Sequence, residues 1–171
     1  MIIHKPGQDI FTSTAHFIVN PVNTKGIMGK GLALEMKKRF PLNFKFYHSF
    51  CSESSPKGGD LIFYYPESVT KERPIINFCT KEDWKKPSKL EWVERGITNL
   101  VEKLRELYSD GQYPSPLLAL PMLGCGEGGL GQDKVLSVFK QLLEGCKYDV
   151  EIYTSKLPVS FEPVEKAIDS K

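Results

Sequence analysis

His16-Phe17-Ile18-Val19-Asn20-Pro21-Val22-Asn23-Thr24-Lys25-Gly26-Ile27-Met28-Gly29-Lys30-Gly31 reads as a short apolar strand running into a glycine-rich turn. The pattern recurs at Leu117-Leu118-Ala119-Leu120-Pro121-Met122-Leu123-Gly124-Cys125-Gly126-Glu127-Gly128-Gly129-Leu130-Gly131. Gly29, Gly31, Gly124, Gly126, Gly128, Gly129 and Gly131, half of the chain's fourteen glycines, fall in these two turns. Glycine lets a backbone approach an oxyanion closely, so that successive N–H groups can converge on one phosphate. Two such turns at strand ends predict a diphosphate site, each turn holding one side. Neither is a Walker A loop or a strict dinucleotide fingerprint. Taken singly, each is equally a tight strand-to-helix turn. The pair, with Asn20 and Asn23 beside the first, points to a ligand.

Working outward, strand-like runs recur at 17–22, 61–65, 75–79, 117–120 and 150–153. Segments of helical period lie between them. The clearest is 89–108, where Leu90, Val93, Ile97, Leu100, Val101, Leu104 and Leu107 mark one face. Ser88 and Glu91 have capping-box spacing at its start. A second helix carries Val135, Val138, Phe139, Leu142, Leu143 and Cys146 and closes at Gly145. A third starts near Met28, carries Leu32 and Met36 and stops at Pro41, which fits the first turn of a short aromatic helix through Phe44 and Tyr47. Strands alternating with helices predict a three-layer α/β/α sandwich with a largely parallel sheet. Ligands of such sheets sit outside the carboxyl ends of the strands, where both glycine turns fall.

A chain of 171 residues has the size of one domain with a real core. We expect that core over 1–157 and a loosely held charged tail over 158–171. A net charge of +2 argues against a strongly basic nucleic-acid wrapper and leaves room for brief contact with a strand. Lys81, Lys85, Lys86 and Lys89 cluster locally, which reads first as a solvated helix entrance. Cys51, Cys79, Cys125 and Cys146 show no paired spacing and no nearby histidine, so no metal site is expected. No leader-like stretch or membrane-length apolar run is visible. The expectation is a cytoplasmic protein with reduced thiols and no membrane contact.

The run Asn20-Pro21-Val22-Asn23, followed by Gly26-Ile27-Met28-Gly29-Lys30-Gly31, resembles the ribose and phosphate loop of the macrodomain family, within it the DarG-like antitoxin branch. Phe78-Cys79-Thr80-Lys81-Glu82-Asp83-Trp84, then Pro87-Ser88-Lys89-Leu90-Glu91-Trp92, is similar to that branch's catalytic-lysine segment. The run from Leu120 to Leu130 is similar to its second phosphate loop. The resemblance implies a mixed, largely parallel sheet and an ADP-ribosyl glycohydrolase that removes ADP-ribose from a modified macromolecule, DNA above all. It implies no cofactor, a monomer, and a separately encoded ADP-ribosyltransferase toxin as partner. A phosphatase on ADP-ribose 1''-phosphate and a non-catalytic ADP-ribose reader would use the same cleft.

Residue by residue, the resemblance makes Lys81 catalytic, either steadying charge on the distal ribose or attacking the open-chain sugar aldehyde. By residue type alone, a lysine after a strand is a solvated side chain. Asn23 can fix ribose hydroxyls or satisfy its own turn. Asn20 reads as mainly structural, bonding backbone at the strand end, and is carried in the binding set with Thr80 and Leu123. Asp9 and Ile10 match the position where a carboxylate and the next N–H meet adenine. Gly29, Gly31 and Leu32 place N–H groups at a helix N-terminus, which favours an anion. Gly124, Cys125, Gly126, Glu127 and Gly128 wrap the second phosphate and distal ribose. Met28 and Trp84 are pocket walls, with a core role for Met28 equally open. Gly128 stands where the related protein-directed glycohydrolases carry an acid, which leaves Glu127 as the general acid/base candidate. Gly131-Gln132 departs from the Asp-Trp of the branch.

Overall fold

The computed structural model describes residues 1–155, so the expected tail over 158–171 lies outside the described residues. Six strands form one sheet: β1 (Ile2–Pro6), β2 (Phe17–Asn23), β3 (Leu61–Tyr64), β4 (Ile75–Lys81), β5 (Leu118–Pro121) and β6 (Val150–Thr154). Their order is β1-β6-β5-β2-β4-β3. Every pairing is parallel except β3 with β4, so the sheet is mixed and largely parallel, as expected. The inner strands β5 and β6 are buried along their whole length, as strands covered on both faces must be.

Alternation along the strands divides the core into two sides. Phe17, Val19, Ile76, Phe78, Leu118, Leu120, Val150 and Ile152 pack under α3 (Leu90–Leu107) and α4 (Gln132–Leu143). Gly96 brings α3 so near the sheet that a Cβ there would overlap the Phe78 ring. The opposite face lies under α1 (Gly31–Arg39) and α2 (Pro41–Ser54), where Ile18 and Ala119 meet Met36, and Val22 and Cys79 meet Tyr47. On that face Asn20, Asn43 and Asn77 are all fully buried. Asn77 Oδ1 accepts from Asn20 Nδ2 (3.1 Å) and Asn43 Nδ2 (3.2 Å), and Asn77 Nδ2 donates to Asn43 Oδ1 (2.8 Å).

Four local expectations need correction. β1 has no strong apolar alternation and is an edge strand of intermediate burial, so its sequence carries little strand signal. α1 begins at Gly31, not near Met28, because Met28 is drawn into the core at 2% exposure. α2 runs past Tyr47 to Ser54, longer than the short aromatic helix expected there. The capping box of α3 does not form: Lys89 is the N-cap without a side-chain cap bond, and Ser88 faces the second glycine turn instead.

Candidate functional site

Because β1, β6, β5, β2 and β4 all run the same way, the segments that leave β1, β2, β4 and β5 emerge at one sheet edge. These are Asp9 and Ile10, the first glycine turn, the Lys81 segment and the second glycine turn. The parallel register therefore brings together residues far apart in sequence.

The first turn is built by side chains. Asn23 Oδ1 accepts from the Lys25 N–H (2.9 Å) and the Ile27 N–H (3.3 Å), while its Nδ2 donates to Ile27 O (2.8 Å). The buried Tyr47 hydroxyl lies within hydrogen-bond distance of both Asn23 O (2.8 Å) and Asn23 Oδ1 (3.0 Å). The Asn23 amide is thus spent largely on shaping its own turn, and one Nδ2 proton is left for a ligand. Beyond it Gly29 and Gly31 are exposed and Leu32 is half-buried. The α1 N-cap, Lys30, makes no side-chain cap bond and no acid occupies the first turn. An uncapped helix start of this kind presents free N–H groups and the positive end of the dipole to an anion.

Lys81 closes β4 and is the register partner of Asn23, across an irregularity between Val22 and Asn23. Its Nζ donates to Trp84 O (3.4 Å). Trp84 is 47% exposed, with Lys85 Nζ 5.0 Å from its ring centre, so it is available as a wall. Thr80 is buried and its Oγ1 donates to Val22 O (3.4 Å).

The second turn is built by backbone. Gly124 takes φ +73°, a left-handed conformation suited to glycine, and its carbonyl accepts from Leu130 N–H (2.9 Å). Gly126 O accepts from Gly129 N–H (3.2 Å), and Gly128 O from Ser88 N–H (2.9 Å). The N–H groups of Cys125, Gly126, Glu127 and Gly128 have no acceptor among the described residues. Gly126 and Glu127 are exposed, and a Cβ on Gly126 would meet nothing. Gly128 differs: a Cβ there would overlap Ser88 Oγ and Gly124 O. No side chain fits at 128 in this conformation, which leaves Glu127 as the acid of this turn. Burial pushes the Cys125 thiol up to about 11, so it offers no thiolate near neutral pH.

Asp9 is exposed and caps the short 3-10 turn Ile10–Thr12, its Oδ1 accepting from Phe11 N–H (3.0 Å). Four predicted residues sit in the core, Ile10 among them at 7% exposure. Leu123 and Asn20 are fully buried and Met28 nearly so. Asn20 bonds side chains, Asn77 and at 4.0 Å the Met28 sulfur, where a backbone partner was expected. Residue type alone did not mark Thr24, Tyr47 or Ser88, whose roles lie in contacts distant in sequence. Among the described residues no group of three His, Cys, Asp or Glu could hold a metal ion, and no helix is long and apolar enough to cross a membrane.

The Macro domain family model matches residues 19–139. The DNA ADP-ribosyl glycohydrolase of Thermus aquaticus is 37% identical over 148 residues, 86% of this chain and 38% of that protein. A DNA ADP-ribosyl transferase-DNA ADP-ribosyl glycohydrolase fusion protein of Thermosipho africanus is 30% identical over 175 residues, 94% of this chain and 42% of that protein. The chain thus spans about two fifths of the length of these relatives. Among solved structures, the macrodomain of Thermus aquaticus DarG superposes with a TM-score of 0.78 at 34% identity, covering 90% of this chain and 97% of that one. Thermosipho africanus DarTG in complex with ADP-ribose superposes at 0.75 with 29% identity, covering 92% and 42%.

Proposed function

The chain belongs to the macrodomain family, and from that premise we propose that it is an ADP-ribosyl glycohydrolase that frees ADP-ribosylated DNA of its modification. The observation that carries this reading is the convergence, at one sheet edge, of two glycine turns with free N–H groups and of a lysine beside the first of them. The likeness to proteins named DNA ADP-ribosyl glycohydrolase supports DNA as the modified macromolecule. The likeness to a fusion with a transferase supports a separately encoded transferase toxin as partner. A monomer acting in the cytoplasm fits both.

In this reading Asp9 and the Ile10 N–H take adenine, the start of α1 takes one phosphate, and the 125–128 amides take the other. The distal ribose then lies between the Asn23 turn, Lys81 and Glu127. The net reaction adds water across the bond from C1'' to the base: C1'' gains the hydroxyl and the base gains the proton. Lys81 serves in one of two ways. Its positive charge steadies the sugar oxygens as the bond breaks, or its amine bonds C1'' of the opened sugar until water displaces it. In this reading Glu127 moves the proton.

The test is to incubate the protein with ADP-ribosylated DNA, ADP-ribosylated protein and ADP-ribose 1''-phosphate in parallel, with and without EDTA. Release of ADP-ribose from DNA, unchanged by the chelator, is expected. Phosphate release alone identifies a phosphatase, and binding without turnover on all three identifies a reader.

A further inference from the structure

Thr24 follows β2 directly and is 7% exposed. Its N–H donates to Lys81 O (3.0 Å), and its Oγ1 donates to Glu82 O (2.7 Å). These are the two successive carbonyls beyond the Lys81 α-carbon, so one residue grips the chain at both peptide units where it leaves β4. The same segment is also held by Glu82 Oε1, which accepts from Gly58 N–H (3.1 Å), by Asp83, whose Oδ1 and O accept from Lys85 N–H (2.9 Å) and Lys86 N–H (3.0 Å), and by Ser88 N–H, which donates to Gly128 O (2.9 Å). Among the described residues the lysine Nζ makes a single, long hydrogen bond, to Trp84 O at 3.4 Å. Where Nζ sits is therefore set mainly by its backbone. On its other side Thr24 is bonded to Asn23, whose amide shapes the first glycine turn.

We propose that Thr24 is a positioning residue for Lys81. Its hydroxyl and its N–H clamp the peptide that carries the lysine to the turn that takes a phosphate. This rests on Lys81 being the reacting lysine of the glycohydrolase. Seating of the diphosphate then also fixes the amine against the distal ribose. A displacement of about 1 Å in such a group is enough to lower a rate by about a hundredfold.

Thr24→Val keeps the branched shape and the N–H but loses the hydroxyl, leaving Glu82 O without its partner. With ADP-ribosylated DNA as substrate, kcat should fall about ten- to a hundredfold while ADP-ribose affinity stays within about twofold. Thr24→Ser, which restores the hydroxyl, should recover most of the rate. Hydrogen exchange over 82–86 should quicken in Thr24→Val, not in Thr24→Ser, while 124–130 stays unchanged. Should Thr24→Val fail to fold, Thr24→Ala, smaller in the same space, takes the same measurements. Full turnover without the hydroxyl, equal losses of rate and affinity, or a serine variant no better than valine would each overturn the clamp. If the wild type cleaves no ADP-ribosylated substrate, the glycohydrolase reading fails, and unchanged exchange over 82–86 then overturns the clamp independently.

Discussion

The two glycine turns look alike in sequence and are built by different means. The first is shaped by side chains: the Asn23 amide bridges its own backbone from Lys25 to Ile27, and Tyr47 fastens that amide to α2. Of its glycines, Gly26 packs against His48 and Cys51, a Cβ on Gly29 would meet only Ile27 Cγ2 at 3.8 Å, and one on Gly31 would meet nothing. The second is shaped by main-chain bonds from Gly124 and Gly126, and Gly128 is pressed against Ser88. Glycine therefore does two jobs here. At 29 and 31 it keeps the sheet edge open, and at 128 it leaves room for the protein itself.

The largest expected effect lies in neither turn but in the segment between them. Lys81→Ala should lower turnover about a thousandfold or more with little change in ADP-ribose affinity, because its contact is made mainly in the transition state. Lys81→Arg keeps charge but cannot form an imine, and we expect it to be inactive as well. Kinetics beside isothermal titration measure both. Full hydrolysis by Lys81→Ala would remove Lys81 from the catalytic step.

Next comes a direct contrast within the second turn. Gly126→Val should fold normally and lose ADP-ribose, since its new side chain points into empty space that the phosphate needs. Gly128→Val should instead lose about 3 kcal/mol of stability or fail to fold, because its Cβ overlaps backbone. Thermal denaturation and titration of both variants decide the matter. Equal stability of the two would remove the packing role given to Gly128.

The smallest effect belongs to Asp9, beside the first turn's side of the cleft. Asp9→Ala should weaken ADP-ribose by about 1.5–3 kcal/mol and leave ribose 5-phosphate unaffected. Because Asp9 also caps Phe11 N–H, Asp9→Asn is the cleaner change: an amide oxygen can keep the cap while the charge is lost. Equal weakening of both ligands would make Asp9 a folding residue only.

The strands and the edge that gathers the turns were legible because buried apolar runs and glycine clusters are local signals. The 3.6-residue period of α3 was equally plain, and α3 spans Leu90–Leu107. β1 was missed because an edge strand needs no continuous apolar run. Ser88 was misread because capping spacing says nothing of what packs nearby, and here the serine packs on Gly124 and Gly128. Asn23, Thr24 and Tyr47 meet only when β2, β4 and α2 are assembled. That step is decided by register and packing, which one sequence does not print.

The three buried asparagines described above have a further meaning as an alignment key. Asn20 and Asn77 are direct partners in the β2–β4 ladder, and Asn23 and Lys81 are partners three residues further along β2. A slip of one residue between β2 and β4 would take the Asn20 amide from its acceptor, Asn77 Oδ1, and bury it without that partner, at a cost of about 1–3 kcal/mol. Apolar strands slide past one another with little to choose between settings; amides that must find amides do not. The trio thus rejects the misaligned sheets in which the lysine would stand opposite the wrong residue, and it does so from the core, away from the ligand.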